Sequence, residues 1–132
     1  MLSCIFCIYC LTHSQRYHKK ICNTLDSQGI IYKLECKLCS EKDIQVCYIG
    51  ETGRTLNTCI REHFYPNKNP NLRSEVFNHG SSVHGNSNTE NWEVSVIEEE
   101  HDEFRRIAKE AIHIRNTGYC INKNKGYQIM GF

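Results

Sequence analysis

Several features are missing from this sequence, and each absence removes a class of protein. Charge of one sign is not in excess, since 16 basic residues stand against 15 acidic ones for a net of +1. A chain that holds nucleic acid by electrostatics alone is usually more basic, so work on DNA would need binding help from elsewhere. No apolar run approaches the ~20 residues that cross a bilayer, and no membrane association is expected. The most apolar stretch, MLSCIFCIYCLT at the start, lacks the basic beginning and small-residue cleavage site of a secretory leader, and three cysteines interrupt it. Internal repeats are also absent. Cysteine, by contrast, is plentiful. Nine are present, an odd number at uneven spacing, whereas a secreted disulfide scaffold normally pairs all of its cysteines. The expectation is a reducing compartment, nucleus or cytoplasm, with some thiols available as metal ligands.

At 132 residues, 39% of them hydrophobic, the chain is expected to form one domain with a modest core. Residues 1–28 read as a poorly structured leader or linker remnant, and residues 29–132 as the domain. In the leader Cys4, Cys7, Cys10 and His13 recur every third residue, but the turn residues of a zinc knuckle are missing. From Gly29 the pattern becomes orderly. GIIYKLE and QVCYIG are β-rich runs joined by a polar loop, which predicts an antiparallel hairpin. TLNTCIREHF sets Leu56, Cys59, Ile60, His63 and Phe64 on one helix face. NLRSEVFNHG predicts a short helix ending near Gly80.

NWEVSVIEE alternates as a half-buried strand, with Trp92, Val94 and Val96 on one side. HDEFRRIAKEAIHIRN is the strongest helix, with Phe104, Ile107, Ala108, Ala111 and Ile112 as its apolar stripe and Arg115 in its last turn. A further short strand is expected near YQIM. The element order predicts an α+β fold, a small, mainly antiparallel three-stranded sheet flanked by helices.

Between the two strand runs sits a C-x2-C pair. Cys36 and Cys39 have the spacing of a zinc hairpin, and His79 and His84 form H-x4-H. The two halves lie farther apart than in an ordinary finger, so spacing leaves three readings open: a structural zinc site, four unrelated reduced side chains, or a redox pair. The last wants a helix N-terminus to lower the thiol pKa, and these cysteines are expected in a hairpin. Cys47 and Cys59 have no evident partners.

GIIY at 29–32, YIG at 48–50, a following helix bearing His63, and the later RRIAKEAIHIR and INKNKG together resemble the GIY-YIG nuclease domain. In particular, YIGETGRTLNTCIREH is similar to the endonuclease of Penelope-like retroelements. The likeness covers about residues 29–129 and leaves out the leader. It implies a GIY-YIG-like fold and magnesium-dependent cleavage of a DNA phosphodiester, with DNA as partner and a reverse transcriptase domain in a longer parent protein. By position it implies Tyr32 and Tyr48 as the motif tyrosines, His63 as the helix histidine, Glu110 as the magnesium ligand and Asn122 as the late asparagine. It also implies structural zinc on Cys36, Cys39, His79 and His84.

The chemistry suits these residue types. Phosphodiester hydrolysis needs an activated water, stabilisation of charge gained at phosphorus and help for the leaving oxygen. Magnesium keeps most of its waters, so one carboxylate suffices to hold it. A tyrosine ionises near pH ~10, so as a base it needs neighbouring positive charge. Tyr48 is expected in that role, with Tyr32 orienting it. The sequence departs from the family at Cys59, where relatives carry an arginine whose fork of donors grips phosphate oxygens. Arg54 lies at or before the helix start and Arg61 points to another face, so neither is an obvious substitute. Activity is therefore expected to be impaired, the alternative being a zinc-clipped nucleic-acid or protein binding module.

Overall fold

The structure, a computed structural model, describes residues 24–65 and 68–123. The cysteine-rich start with Cys4, Cys7, Cys10 and His13, and the strand expected near YQIM, lie outside the described residues. The elements run β1 (Gln28–Cys36), α1 (Lys37–Ser40), β2 (Cys47–Thr55), α2 (Leu56–Phe64), α3 (Glu75–His84), β3 (Trp92–Glu99) and α4 (Glu103–Thr117). Single 3-10 turns, Pro70–Leu72 and Thr89–Asn91, precede α3 and β3. The fold is α+β, with a three-stranded antiparallel sheet in the order β2-β1-β3.

β1 is the central strand and is buried on both faces. Its even-numbered side chains Ile30, Tyr32, Leu34 and Cys36 pack with Leu56 and Ile60 of α2, Val76 of α3, and Trp92. Ile31 points the other way, toward Cys47 and Ile49 of β2, Ile114 of α4, and Cys120. The period of two along the strand thus feeds two layers, which is why GIIY reads as a continuous apolar run. Leu25, ahead of the strand, is buried in the first layer, and the Ser27 carbonyl accepts from the Leu56 N–H (2.9 Å), tying the entry of β1 to the start of α2.

Helix ends follow local chemistry. Thr55 caps α2 through the Thr58 N–H, Ser74 caps α3 through Val76 and Asp102 caps α4 through Arg105. Gly85 and Gly118 terminate α3 and α4 in the left-handed conformation. α3 therefore runs past Gly80, where the sequence predicted its end. Gly80 lies inside the helix because the following loop packs on it. A Cβ there would lie 2.8 Å from the Asn86 carbonyl oxygen and 2.9 Å from Ser87 Cα.

α4 is also rotated from its expected setting. Phe104 is 79% exposed and Ile112 44% exposed, while Arg106, Ala111 and Ile114 are buried and Glu110 is half-buried. The inward face admits two charged side chains one turn apart, so an apolar stripe alone misplaces it. In β3 an irregularity opposite Ile31 and Tyr32 breaks the alternation, and Val96 and Ile97 are both partly exposed.

Gly80→Ala should destabilise the protein, although alanine is the better helix former by about 1 kcal/mol. Overpacking against the backbone of the next loop costs about 1–3 kcal/mol. A thermal melt should show a fall of several degrees, and an unchanged or raised midpoint would show that the loop does not bear on Gly80.

Candidate metal centre and cleft

Two clusters of chemically capable side chains stand on the same layer of the sheet. The first is a metal-capable group at the end of β1. The Cys36 N–H donates to the Val46 carbonyl (2.9 Å), closing the β1–β2 hairpin, and one helical turn then carries Cys39 back beside Cys36. The hairpin turn thus contains α1, which the sequence did not predict. His79 and His84 come from the middle and end of α3. The ligand atoms of all four residues lie within 4.8 Å of one another. Cys36 Sγ is 3.3 Å from His84 Nε2, and Cys39 Sγ is 3.4 Å from both His79 and His84 Nε2. Trp92 packs edge-on against the His79 ring at 5.6 Å and shields that side. Two thiols and two imidazoles converging from separate elements could hold a metal ion such as zinc.

The second cluster lies farther along the same face of β1, four residues from Cys36, or about 13 Å by strand rise. Tyr32, Tyr48 and His63 come from β1, β2 and α2. The Tyr32 hydroxyl is 2.8 Å from His63 Nε2, and the Tyr48 and His63 rings meet edge-to-face at 4.7 Å. The Tyr32 phenol lies across Gly50, where any Cβ would collide with it. The glycine of YIG is thus a consequence of the tyrosine of GIIY. On the far side of the imidazole, Nδ1 is hydrogen-bonded to Ser74 Oγ, the hydroxyl that also caps α3.

Burial pushes the His63 pKa down to about 4, so the ring is neutral at pH 7. Burial likewise holds both phenols well above their usual range, with Tyr48 adding to the effect on Tyr32 and Glu110 to that on Tyr48.

These residues line a cleft of about 440 Å³ together with Glu51, Cys59, Glu62, Asn71, Leu72, Arg73, Ser74, Glu75 and Lys123. Three of its acids have cationic partners: Glu51 with Arg106 (2.6 Å), Glu62 with Arg54 (2.7 Å) and Glu75 with Lys123 (3.2 Å). Arg54 is thereby held in an exposed two-pronged pair with Glu62. Arg61 lines a different hollow, beside Phe64 and Asn86. Arg73, with its guanidinium 5.8 Å over the Phe77 ring, is the arginine that lines this cleft among the described residues.

Glu110 is not a lining residue. It faces Glu51 at the outer edge of β2, and its charge is felt by both tyrosines. Its pKa is raised to about 7, first by burial and then by the Glu51 carboxylate, with the Glu51 backbone N–H partly offsetting both. Asn122 sits on the same edge as a buried clamp. Its Oδ1 accepts from the Ile49 N–H (3.1 Å) and its Nδ2 donates to the Ile49 carbonyl (2.6 Å), so its amide completes the strand edge.

Ser74, Arg73, Glu51 and Lys123 join the cleft lining without having been expected from the sequence. Ser74 carried a readable signal, a serine followed by an acid at a helix start. The others are brought in by tertiary contact alone.

Glu110 generates a pH prediction. A carboxyl whose folded pKa is about 7 against an ordinary 4.5 stabilises the fold fully below pH 4.5, and that contribution is lost as pH rises through 7. In magnesium-free buffer Glu110→Gln should therefore gain stability relative to the natural chain between pH 5 and pH 8. A melting difference that does not change with pH would show that Glu110 ionises freely. Compared with protein-family models, with curated proteins and with solved structures, the chain matches none.

Proposed function

We propose that the chain is a DNA-cleaving domain of GIY-YIG type, resembling that of Penelope-like retroelements, with slowed chemistry and a structural zinc. The observation that carries this reading is the meeting of Tyr32, Tyr48 and His63, from three separate elements, in one cleft with a direct Tyr32–His63 hydrogen bond. A neutral imidazole bonded to a phenol provides a path for a proton. If Nδ1–H donates to Ser74, the bare Nε2 accepts the Tyr32 proton, and Tyr32 in turn can relay one from Tyr48 or from a water in the cleft. Both phenols hold their protons as they stand, so the relay calls for added positive charge.

Glu110, beside a second carboxylate and short of compensating charge, is suited to a divalent cation such as magnesium. Bound there, the ion would supply the charge stabilisation that phosphodiester cleavage requires. Asn122 serves this reading as a positioning residue, because it secures the strand edge next to Tyr48 and Glu51.

Zinc suits the Cys2His2 group on geometry. Tetrahedral bonds of ~2.3 Å to sulfur and ~2.05 Å to nitrogen place those atoms about 3.6 Å apart, close to the 3.3–3.4 Å of three of the four sulfur–nitrogen pairs here, with all four ligand atoms within 4.8 Å of one another. Four protein ligands leave no open position, so the role is structural, pinning the β1–β2 turn to α3. The purified domain should carry about one zinc at this site, which Cys36→Ser with Cys39→Ser removes. Chelation should lower the melting temperature. A metal-free protein, or one whose stability ignores the chelator, would refute the zinc assignment.

A second reading, a catalytically inactive binding module, is favoured by Cys59 alone. It lines the cleft where a guanidinium would grip phosphate, and it offers no charge. Losing one transition-state contact of that kind costs on the order of 3–4 kcal/mol, a few hundredfold or more in rate. In a supercoiled-plasmid assay with magnesium, the natural chain should nick very slowly and Glu110→Ala not at all. Cys59→Arg should raise the rate by about a hundredfold or more, and Cys59→Ala should change little. Absence of nicking by Cys59→Arg would favour the binding module. Brisk natural cleavage lost in Arg73→Ala would move the phosphate contact to Arg73 and overturn the impairment.

A further inference from the structure

Two thiols outside both clusters meet in the opposite layer. Cys47 begins β2, and Cys120 follows the left-handed Gly118 that ends α4. Their backbones form a parallel bridge, in which the Ile121 N–H donates to the Cys47 carbonyl at 2.9 Å. Their sulfurs are 3.6 Å apart, enclosed with Ile31, Ile49 and Ile114. Two residues beyond Cys120, Asn122 clamps Ile49. Residues 120–122 are therefore held against the outer edge of β2 by one backbone bridge and the Asn122 amide.

We propose that Cys47 and Cys120 are a site of reversible disulfide formation, oxidised by a low-molecular-weight disulfide, which staples the Asn122-bearing segment to the edge of β2. Neighbouring strands run about 4.8 Å apart, inside the ~4.4–6.8 Å range of Cα separations that a disulfide bridges. Closing the sulfurs from 3.6 Å to bonding distance needs side-chain rotation and no backbone travel. The other described cysteines are placed otherwise: Cys36 and Cys39 face two histidines, and Cys59 faces the cleft.

The order of events follows from burial. Cys47 is fully buried on a paired strand, and burial with the nearby Cys120 pushes its thiol up to about 12, so it is a poor first nucleophile. Cys120 sits on the segment that has to lift for an oxidant to enter. Once lifted, Cys120 loses its proton to solvent and its thiolate attacks one sulfur of the small disulfide, expelling the other half as a thiolate. When the segment reseats, Cys47 releases its proton and attacks Cys120 Sγ, expelling the second thiolate. Two protein thiols lose two electrons and two protons, and the oxidant leaves as two thiols. The rate thus reports how often the Asn122 clamp opens.

The test treats the reduced, zinc-loaded full chain with glutathione disulfide, followed by alkylation of the denatured protein, digestion and mass mapping. The expected product is a linked Cys47–Cys120 peptide pair, two mass units lighter than the reduced sum. Oxidation should raise the melting temperature by about 10 °C, and thiol reductant should reverse it. Asn122→Ala should cross-link faster, and Cys47→Ala or Cys120→Ala should abolish the oxidant-dependent rise. If either alanine variant fails to fold, the peptide map of the natural chain decides alone. Full alkylation of both cysteines under conditions that modify other thiols of the chain, or glutathione retained on Cys120, would overturn the proposal.

Discussion

The double burial of β1 is the constraint on which the other features depend. A strand paired on both edges and covered on both faces has to send alternate side chains into two different layers, and every residue from Gly29 to Tyr32 is buried accordingly. The even-numbered side chains do more than fill a core. Tyr32 reaches over Gly50 into the cleft, Leu34 packs between, and Cys36 ends the row at the metal-capable group. A one-residue slip of register would carry Tyr32 and Cys36 to the α4 side together and dismantle both clusters. The apolar core, the cleft and the metal group are thus held in register by the same pleat.

The outer edge of β2 poses a second problem, an unpaired row of backbone groups. It is resolved by side chains rather than by a full fourth strand. The Asn122 amide engages both backbone groups of Ile49, and the Glu51 N–H faces the Glu110 carboxylate. The buried Arg106 binds the Glu51 carboxylate and donates to the carbonyls of Glu100 and His101, joining β2 to the start of α4. Gly53 leaves room for that guanidinium, which would be 3.0 Å from any added Cβ. The charged residues that turn α4 inward are therefore the ones that close the sheet edge. Glu110 resists ionising there first because it is largely withdrawn from water and then because the Glu51 carboxylate stands beside it.

Much of this arrangement is legible in the sequence. The hairpin and the helix carrying Cys59 and His63 on its inner face follow from periodicity, because each is an element whose burial pattern matches its own repeat, and the strand opening at Trp92 follows it only as far as Val94. Legibility failed where one element's shape depends on another. Gly80 reads as a helix stop, yet it is a contact point for the loop at Ser87. Phe104 and Ile112 read as core, yet Arg106 and Glu110 take the inner face because Glu51 awaits them.

The clusters divide in the same way. C-x2-C and H-x4-H state the donor types, since only cysteine and histidine supply those soft and borderline ligands, and spacing within each half is local. That the halves meet, some 40 residues apart (Cys39 to His79), was decided by packing α3 against the hairpin turn. The tyrosines and His63 were likewise visible as residues, whereas Ser74, Arg73 and Cys120 acquire their neighbours only when chain closure brings distant segments together. Sequence alone determined which side chains were available and, where an element's burial follows its own repeat as in β1 and α2, which face of that element each would take. The tertiary structure decided which of them touch, because contact between elements depends on three-dimensional register that no local repeat encodes.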